Sequence, residues 1–409
     1  MSRDAIHDPK LHRARRTRLL EALGDGLLLL PTAPETRAVL FVRPRDPARE
    51  VWDGKRYGPA LAQRLFGVDA AHPIADLWRV LAEVLPTQPR LFHRLGADPA
   101  WDQRLLQFFA AQAKKHRRRE PPAHPVIQDP LPVLAAQRLQ KDQGEIDALR
   151  VAAAITASGH EVAMRAARPG RHEYEVQAAL EAEFRRLGSP RNGYASIVAS
   201  GANACILHYH ENDRRLRDGE LLLIDAGAEF AGHTGDVTRT FPVGRAFTEA
   251  QAAVYRVVLR AQLAGIRACR LGARSDAPHR ACVRVLTQGL VELGVLRGTV
   301  AKLVAKERHK PWYMHGTSHW LGRDVHDVGA YRDADDRPEP LPRHAVLTVE
   351  PGLYFAPDDR KVPRELRGIG IRIEDDVLVT ARGPEVLTAA APKSIAAIER
   401  ICAGRTGID

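Results

Sequence analysis

Long apolar runs are missing from this chain of 409 residues. Runs such as residues 27–30 and 221–224 are far shorter than the roughly 20 residues needed to cross a bilayer. The N-terminal residues are polar, and they lack the apolar segment and the small-residue cleavage site of a secretory signal. We therefore expect a protein without a membrane span, located in the cytoplasm.

Cysteine is also scarce, because the chain has only four. They lie far apart and show no C-x-x-C spacing, which excludes a zinc knuckle and a disulfide scaffold. The four are Cys205, Cys269, Cys282 and Cys402. We predict that they are buried, unpaired thiols.

The remaining composition is that of a globular protein, with 44% hydrophobic and 27% charged residues. The length exceeds that of a usual single domain and predicts two or three. A net charge of +11 permits attraction to anions, including nucleic acid, without demonstrating it. The densest basic run, residues 114–119, follows a helix-like stretch. We interpret it as a solvated helix end, the alternative being an anion-binding patch.

A proline-rich segment before residue 132 cannot continue a helix and predicts a domain boundary. Upstream, residues 27–30 and 39–42 have the pattern of buried strands, and residues 77–85 that of a helix. We therefore predict a small N-terminal α/β domain over residues 1–130 and a second domain over residues 131–409.

The second domain shows the order helix, helix, strands twice. Apolar residues recur at helical spacing around Leu149, Leu180, Leu259 and Leu290, and Thr248 with Gln251 forms a capping-box pattern. Strand-like runs follow each helix pair, at 196–199, 221–224 and 236–241, and then at 346–349 and 368–379. The pattern predicts an α+β domain with an internal two-fold plan.

Two aspartates stand at strand ends in this domain. Asp225 closes an apolar run, and Asp236 opens the next strand. If a hairpin connects these strands, both carboxylates can meet on one face of the sheet. A charge at the end of an aliphatic run is costly to bury unless it is paired or bound to a cation. Either aspartate alone could be a turn residue or a cap; together they favour a cation site.

Further polar residues follow the later strands. His315 and His319 are four residues apart, but Gly316 and Ser318 oppose a helix, so an H-E-x-x-H zinc site is excluded. Glu350 ends another apolar strand. Alternation places Arg372 and Glu374 on one strand face and aliphatic side chains on the other.

These blocks resemble the proline-specific metallopeptidases of the pita-bread fold, which comprise aminopeptidase P and Xaa-Pro dipeptidase (prolidase). The resemblance covers nearly all of residues 135–395 and also includes His208-Tyr209 and residues 314–319. It implies a C-terminal pita-bread catalytic domain. The N-terminal domain is shorter than in aminopeptidase P, because an aromatic-rich stretch expected before Val39 is missing.

The resemblance also implies a ligand set for two metal ions. Asp236 and Glu374 would bridge the ions, Asp225 would bind the first, and His319 with Glu350 would bind the second. Four carboxylates balance the charge of two divalent ions. An oxygen-rich set with one imidazole favours Mn²⁺, with Co²⁺ or Zn²⁺ as alternatives.

Other roles are implied in the same way. His208, His315 and His326 would line the pocket and move a proton to the leaving proline nitrogen, and Glu350 would be the general base. Arg372 would orient Asp236 or clamp a substrate carboxylate. Thr238 would support the ligands from the second coordination shell. Tyr354 would line the proline pocket, the alternative being core packing.

The expected activity is metal-dependent cleavage of the bond before proline in an Xaa-Pro dipeptide or short peptide. We favour a dipeptidase, since Arg372 could hold a free proline carboxylate, with Xaa-Pro aminopeptidase as the alternative. Methionine aminopeptidase is disfavoured, because it normally lacks such an N-terminal domain and this arginine. Creatinase is disfavoured because it works without the metal pair. A non-catalytic relative that binds nucleic acid or histones is disfavoured because it would have lost metal ligands, whereas all five are present here. The family implies a homo-oligomer, with a dimer favoured.

Overall fold

The computed structural model describes residues 27–28, 32–33, 37–85, 90–115 and 125–404. The chain divides into two compact units, Met1–Gln137 and Arg138–Asp409. The boundary that we predicted, between residues 130 and 131, lies slightly earlier in the chain. Part of the proline-rich segment falls outside the described residues. No helix in the described part of the chain is long and apolar enough to cross a membrane.

Unit 1 combines short, mostly parallel strands with helices. The elements among its described residues are β1 (Leu27–Leu28), β2 (Thr32–Ala33), β3 (Arg37–Val42), α1 (Pro47–Asp53), α2 (Gly58–Phe66), β4 (Ala70–Pro73), α3 (Leu77–Val84), β5 (Arg90–Phe92), α4 (Pro99–Lys115), β6 (Val126–Gln128) and α5 (Leu131–Leu139), whose last residues belong to unit 2. Strand β5 lies between β1 and β6 in one parallel sheet. Strand β3 pairs parallel with β4 and antiparallel with β2.

The core of unit 1 forms where α3 packs on this framework. Leu77 and Leu81 lie four residues apart on one face of α3, and they pack with Leu85, Leu91 and Leu105. The strand that we predicted at 39–42 and the helix that we predicted at 77–85 are both present. Residues 27 and 28 are in a strand, whereas 29–30 lie outside the described residues. In the basic run, Lys114 and Lys115 occupy the last turn of α4, and residues 116–119 are not described.

Unit 2 contains the two predicted helix pairs and their strands. The helices are α6 (Gln143–Ala166), α7 (Glu173–Arg186), α8 (Glu249–Ala268), α9 (Ala277–Glu292), α10 (Val300–Ala305) and α11 (Ile395–Ala403). The strands are β7 (Ile197–Ser200), β8 (Leu221–Ala226), β9 (Glu229–Phe230), β10 (His233–Thr234), β11 (Val237–Pro242), β12 (Val346–Val349), β13 (Gly352–Tyr354), β14 (Gly370–Arg372), β15 (Asp375–Thr380) and β16 (Gly383–Val386). Strands β7, β8 and β11 form one antiparallel sheet, and β12, β15 and β16 form another.

Side-chain caps fix where the long helices begin. The Thr248 hydroxyl accepts from the Gln251 N–H, and the Gln251 side chain accepts from the Thr248 N–H, so the predicted capping box is present. Asp142 and Glu145 form the same reciprocal pair at the start of α6. Each box satisfies two backbone donors that the helix leaves without partners.

The two halves of unit 2 join where β11 meets β14 and the residues that follow it. The Glu374 N–H donates to the Thr238 carbonyl at 3.1 Å, and the Arg372 N–H donates to the Thr240 hydroxyl at 3.2 Å. The Arg239 guanidinium, fully buried, donates to the Glu374 carbonyl and to the Asp375 carboxylate. A polar seam thus holds the sheets together next to Asp236 and Glu374, two of the predicted metal ligands.

Two local features differ from the predicted strands. The run 368–379 is not one strand, because β14 pairs with β13 while β15 pairs with β12. Glu374 lies where the chain changes partners. The connection from β8 to β11 is longer than a tight hairpin, because β9 and β10 form a small hairpin of their own within it. Of the cysteines, Cys269, Cys282 and Cys402 are buried and free, whereas Cys205 is free but only half-buried.

Candidate metal centre

The strand ends of unit 2 surround a cavity of about 500 Å³. All nine residues to which the sequence assigned a metal or catalytic role line it: His208, Asp225, Asp236, His315, His319, His326, Glu350, Arg372 and Glu374. Tyr354, which we predicted to line the proline pocket, is buried and does not line the cavity. The structure therefore brings residues from across unit 2 to one place.

Strand register places the two aspartates together. Asp225 pairs with Thr238 across the β8–β11 ladder, and Asp236 stands two residues before Thr238, which puts both carboxylates on one face. Close backbone approach assists this arrangement, because a Cβ on Gly227 would lie 1.7 Å from the Gly235 carbonyl oxygen. Only glycine fits there.

Tyr194 joins the two aspartates. Its hydroxyl lies 2.7 Å from Asp225 Oδ1 and 2.5 Å from Asp236 Oδ1, and it can donate its one proton to either carboxylate. Burial and the charges of Asp225 and Asp236 raise the pKa of Tyr194 well above its usual range. The phenol thus stays protonated and acts as a donor.

His319 and Glu350 reach the cavity from neighbouring backbone. The His319 N–H donates to the Thr348 hydroxyl, and the His319 carbonyl accepts from the Thr348 N–H, which aligns this segment with β12. Glu350 directly follows β12. The His319 Nε2 atom lies 3.4 Å from Asp236 Oδ2 and 3.7 Å from Glu350 Oε1. One imidazole therefore stands between two carboxylates from different strand ends.

The Arg372 guanidinium is held by three partners. It donates to Asp225 Oδ2 at 2.7 Å, to the Thr238 hydroxyl at 3.1 Å and to the Tyr354 hydroxyl at 3.2 Å. The Thr238 hydroxyl in turn donates to Glu374 Oε2 at 2.6 Å. We considered two roles for Arg372, orienting Asp236 or clamping a substrate carboxylate. The first needs correction, because the guanidinium donates to the Asp225 carboxylate instead of that of Asp236.

Carboxylates dominate the electrostatics of the cavity. The lining residues include four carboxylates, those of Asp225, Asp236, Glu350 and Glu374. Arg372 is the one lysine or arginine among the lining residues. Burial raises the pKa of Glu374 well above its usual range, and the charges of neighbouring carboxylates raise it further. Burial also raises the pKa of Glu350 to about 7. The cluster therefore has a shortage of positive charge.

This donor set fits divalent cations. One ligand atom each from Asp236, His319 and Glu374 lies within 4.8 Å of the others. Burial alone would lower the pKa of His319, but the Asp236 and Glu350 carboxylates outweigh it and raise this pKa to about 9. The negative potential of these carboxylates favours the protonated imidazole, and a bound metal cation would neutralise the same potential. Carboxylate oxygens with one imidazole suit hard or borderline divalent ions.

Four further histidines line the cavity beside this cluster: His208, His210, His315 and His326. The His326 ring centroid lies 4.3 Å from that of His319, and His208 stacks on His210 at 6.4 Å. The His315 Nδ1–H donates to the Gly316 carbonyl, so Nε2 accepts from the Tyr354 hydroxyl at 2.8 Å. Burial lowers the pKa of His315 to about 4, so this imidazole is neutral near pH 7.

Three polar residues at the site were missed from the sequence. Tyr194 lies in coil before β7, where no periodic pattern marks it. His210 lines the cavity two residues after His208. Asp376 is buried, and its Oδ2 accepts from the Asp236 N–H at 3.0 Å. Asp225 and Glu350 were identified because each ends an apolar strand. Asp376 belongs to a run of three acidic residues in the sequence, so the same reasoning could not separate it from its neighbours.

Known proteins match both units of the chain. Residues 147–381 match the model of metallopeptidase family M24, and residues 25–92 match that of the aminopeptidase P N-terminal domain. The chain belongs to metallopeptidase family M24. The predicted membership of the proline-specific metallopeptidases with the pita-bread fold is thus confirmed, as is the α+β class with a smaller N-terminal domain. The match of that domain to the aminopeptidase P type is a finding of the comparison.

Relatives of this M24 protein match over most of its length. An Xaa-Pro aminopeptidase of Haemophilus influenzae is 43% identical over 376 residues, which are 92% of this chain and 84% of the relative. The structure of Pseudomonas aeruginosa aminopeptidase PepP has a TM-score of 0.87 and 45% identity, covering 90% of this chain and 83% of that one. Escherichia coli aminopeptidase P with the inhibitor Pro-Leu has a TM-score of 0.86 and 42% identity, covering 90% and 83%.

Proposed function

We propose that this M24 protein is an Xaa-Pro aminopeptidase, which hydrolyses the bond between an N-terminal residue and a following proline in peptides longer than two residues. The observation that carries the proposal is the convergence of four carboxylates and His319 in one cavity of a chain whose close relatives bear that name. The dipeptidase that we favoured from the sequence has no support from these relatives.

The state of Arg372 also favours the aminopeptidase. The preference for a dipeptidase required this guanidinium to hold the free carboxylate of proline. In the structure Arg372 is buried and already donates to Asp225, Thr238 and Tyr354. A guanidinium with these partners would have to break a charge-assisted bond before it could form a two-point contact with substrate.

We further propose that Asp225, Asp236, His319, Glu350 and Glu374 hold two divalent ions, with Mn²⁺ as the first choice and Co²⁺ or Zn²⁺ as alternatives. Four carboxylates match the charge of two such ions. When bound, paired divalent ions lower the pKa of water, polarise the scissile carbonyl and stabilise the oxyanion. The side chains around them then need only to orient the peptide and transfer protons.

Protein side chains supply the proton transfers in this proposal. Glu350 accepts a proton from the attacking water, because its carboxylate borders the cavity beside His319 and is within reach of a nucleophile bound there. The leaving proline nitrogen has no N–H in the peptide and must gain a proton as the bond breaks. His208 and His326 border the cavity and would deliver it. His315 also borders the cavity, but its one N–H is bound to the Gly316 carbonyl, so it would position the substrate rather than protonate the nitrogen. Tyr354 fixes the ring of His315 through its hydroxyl.

A substrate panel tests the specificity. Purified protein is assayed with an Xaa-Pro dipeptide and the matching Xaa-Pro-Xaa tripeptide, before and after chelation and with Mn²⁺, Co²⁺ or Zn²⁺ restored. We expect kcat/KM for the tripeptide to exceed that for the dipeptide about tenfold or more, a ratio equal to ~1.4 kcal/mol of transition-state binding. Equal or faster cleavage of the dipeptide would restore the dipeptidase. Full activity after complete chelation would contradict the metal centre.

The cytoplasmic location and the homodimer, like the expected absence of a nucleic-acid partner, stay predictions from the sequence and the family resemblance. The substrate proposal does not depend on them, since every residue that it uses belongs to unit 2 of a single chain.

A further inference from the structure

A second cavity lies behind the catalytic one in unit 2. Its volume is about 790 Å³, within the range of small-molecule sites. Helices α9 and α10 and the turn that follows α10 form its walls. None of the residues to which we assigned a role in metal binding or catalysis lines it. We refer to it as the rear cavity.

Positive charge dominates the polar lining of the rear cavity. Arg280 and Arg284 are four residues apart on α9, so both side chains lie on one helix face, and both residues are exposed. Lys310 adds a third cation. The one lining carboxylate, Glu307, lies 2.7 Å from the Lys310 ammonium, which leaves the two arginines without a carboxylate among the residues that line this cavity.

Two histidines complete the lining. His309 is only 5% exposed, and its Nδ1 atom has no hydrogen-bond partner. Buried polar atoms nearly always have a partner, so the ring of His309 keeps a hydrogen-bonding capacity that no described residue uses. His279 donates or accepts at the Thr317 hydroxyl, 2.9 Å from its Nδ1, and its other ring nitrogen is free of any described hydrogen bond. Burial lowers the pKa of both rings.

The rear cavity shares a wall with the catalytic cavity. Thr317, which His279 holds from the rear, stands between Gly316 and Ser318, and these two residues line the catalytic side. The Thr317 carbonyl accepts from the Glu350 N–H at 2.8 Å. A molecule in the rear cavity would therefore lie directly behind the segment that supports Glu350.

We propose that the rear cavity is a binding site for a small molecule that carries a phosphate or carboxylate group. The two arginines would meet the anionic group, because guanidinium N–H groups match both phosphate and carboxylate oxygens. The neutral imidazoles of His279 and His309 would hydrogen-bond to a less charged part of the same molecule. The evidence for this binding site does not depend on the proposed peptidase activity.

Calorimetric titration of the metal-loaded protein with inorganic phosphate, and separately with succinate, tests this site at constant ionic strength. We expect saturable binding of at least one anion, and the tighter one identifies the anionic group. The variant Arg280→Ala/Arg284→Ala should weaken that binding about tenfold or more, as loss of charge-assisted hydrogen bonds predicts. Both side chains are exposed, so the variant should fold, which circular dichroism checks.

The matched control is Arg297→Ala/Arg382→Ala, which removes the same charge from exposed positions that do not line the rear cavity. Its affinity should stay within about twofold of the wild type, since these two side chains do not line the cavity and exposed charges are largely screened by salt. Equal loss in both double variants would show only general electrostatic attraction and overturn the site. Unchanged binding in Arg280→Ala/Arg284→Ala, or no binding of either anion by the wild type, would overturn it as well.

Discussion

At the scale of single residues, the acidic positions of the site could be predicted because burial of a charge is costly. Asp225 and Glu350 each end an aliphatic strand, where a carboxylate needs a cation or a hydrogen-bond donor. Tyr194 gave no such signal, because a tyrosine in coil is equally compatible with core packing. Its contact with Asp225 and Asp236 depends on strand register, which only the folded chain defines.

The hydroxyl of Tyr194 offers a test at this scale. Tyr194→Phe removes the donor shared by Asp225 and Asp236 while keeping the ring. Loss of a group that orients metal ligands typically costs about 10–100-fold in metal affinity or activity, and we expect kcat to fall within that range. Metal titration and steady-state kinetics measure the effect.

The matched control for this prediction is Tyr174→Phe, since Tyr174 is 51% exposed on α7. It should leave kcat and metal affinity unchanged. If Tyr194→Phe also retains both, the hydroxyl contributes nothing to the arrangement of the two aspartates.

At the scale of secondary structure, local signals predicted the helices well. Helical spacing around Leu149, Leu180 and Leu290 and the capping box at Thr248 identified α6 to α9 because these patterns depend only on nearby residues. The break after Arg372 could not be predicted in this way. Residues 368–379 alternate like one strand, and the break exists because β14 and β15 pair with different strands.

Helix α6 carries a buried titratable residue that makes stability depend on pH. His160 is fully buried, and its Nε2 lies 3.1 Å from the Ala226 carbonyl, to which it donates. Burial lowers the pKa of His160 from 6.5 to about 4. Between these values the unfolded state binds a proton that the folded state does not. Stability is therefore lost as pH falls from about 6.5 to about 4, and it is unaffected by this group above that range.

Replacement of His160 by glutamine tests this dependence, because the amide can still donate to the Ala226 carbonyl. The wild type should lose about 3 kcal/mol more than His160→Gln between pH 7 and pH 4, from 1.4 kcal/mol per pKa unit. Denaturant unfolding at several pH values gives this difference, in which contributions common to both proteins cancel. Parallel stability curves for the two proteins would contradict the assignment.

At the scale of the whole molecule, the repeated order of helix, helix and strands was visible in the sequence, whereas its consequence was not. The proposed ligands come from both halves of unit 2, with Asp225 and Asp236 in the first and His319, Glu350 and Glu374 in the second. The seam between Thr238 and Glu374 brings them together. A metal at this place would therefore stabilise the contact between the halves rather than either half alone.

This argument predicts where metal binding slows hydrogen exchange. A ligand that binds only the folded state adds up to ~2.7 kcal/mol at one hundred times its Kd, which slows exchange through metal-sensitive openings by as much as ~100-fold. With Mn²⁺ added to metal-free protein, we expect slower exchange of amides in β8, β11 and β15, and no change over residues 90–115 of unit 1. Mass spectrometry of peptic fragments provides the measurement.

In Asp236→Asn, which has lost a proposed bridging carboxylate, the protection should be largely absent. Equal protection in that variant would mean that Mn²⁺ binds elsewhere, and protection limited to β8 and β11 would mean that the two halves do not share the ions.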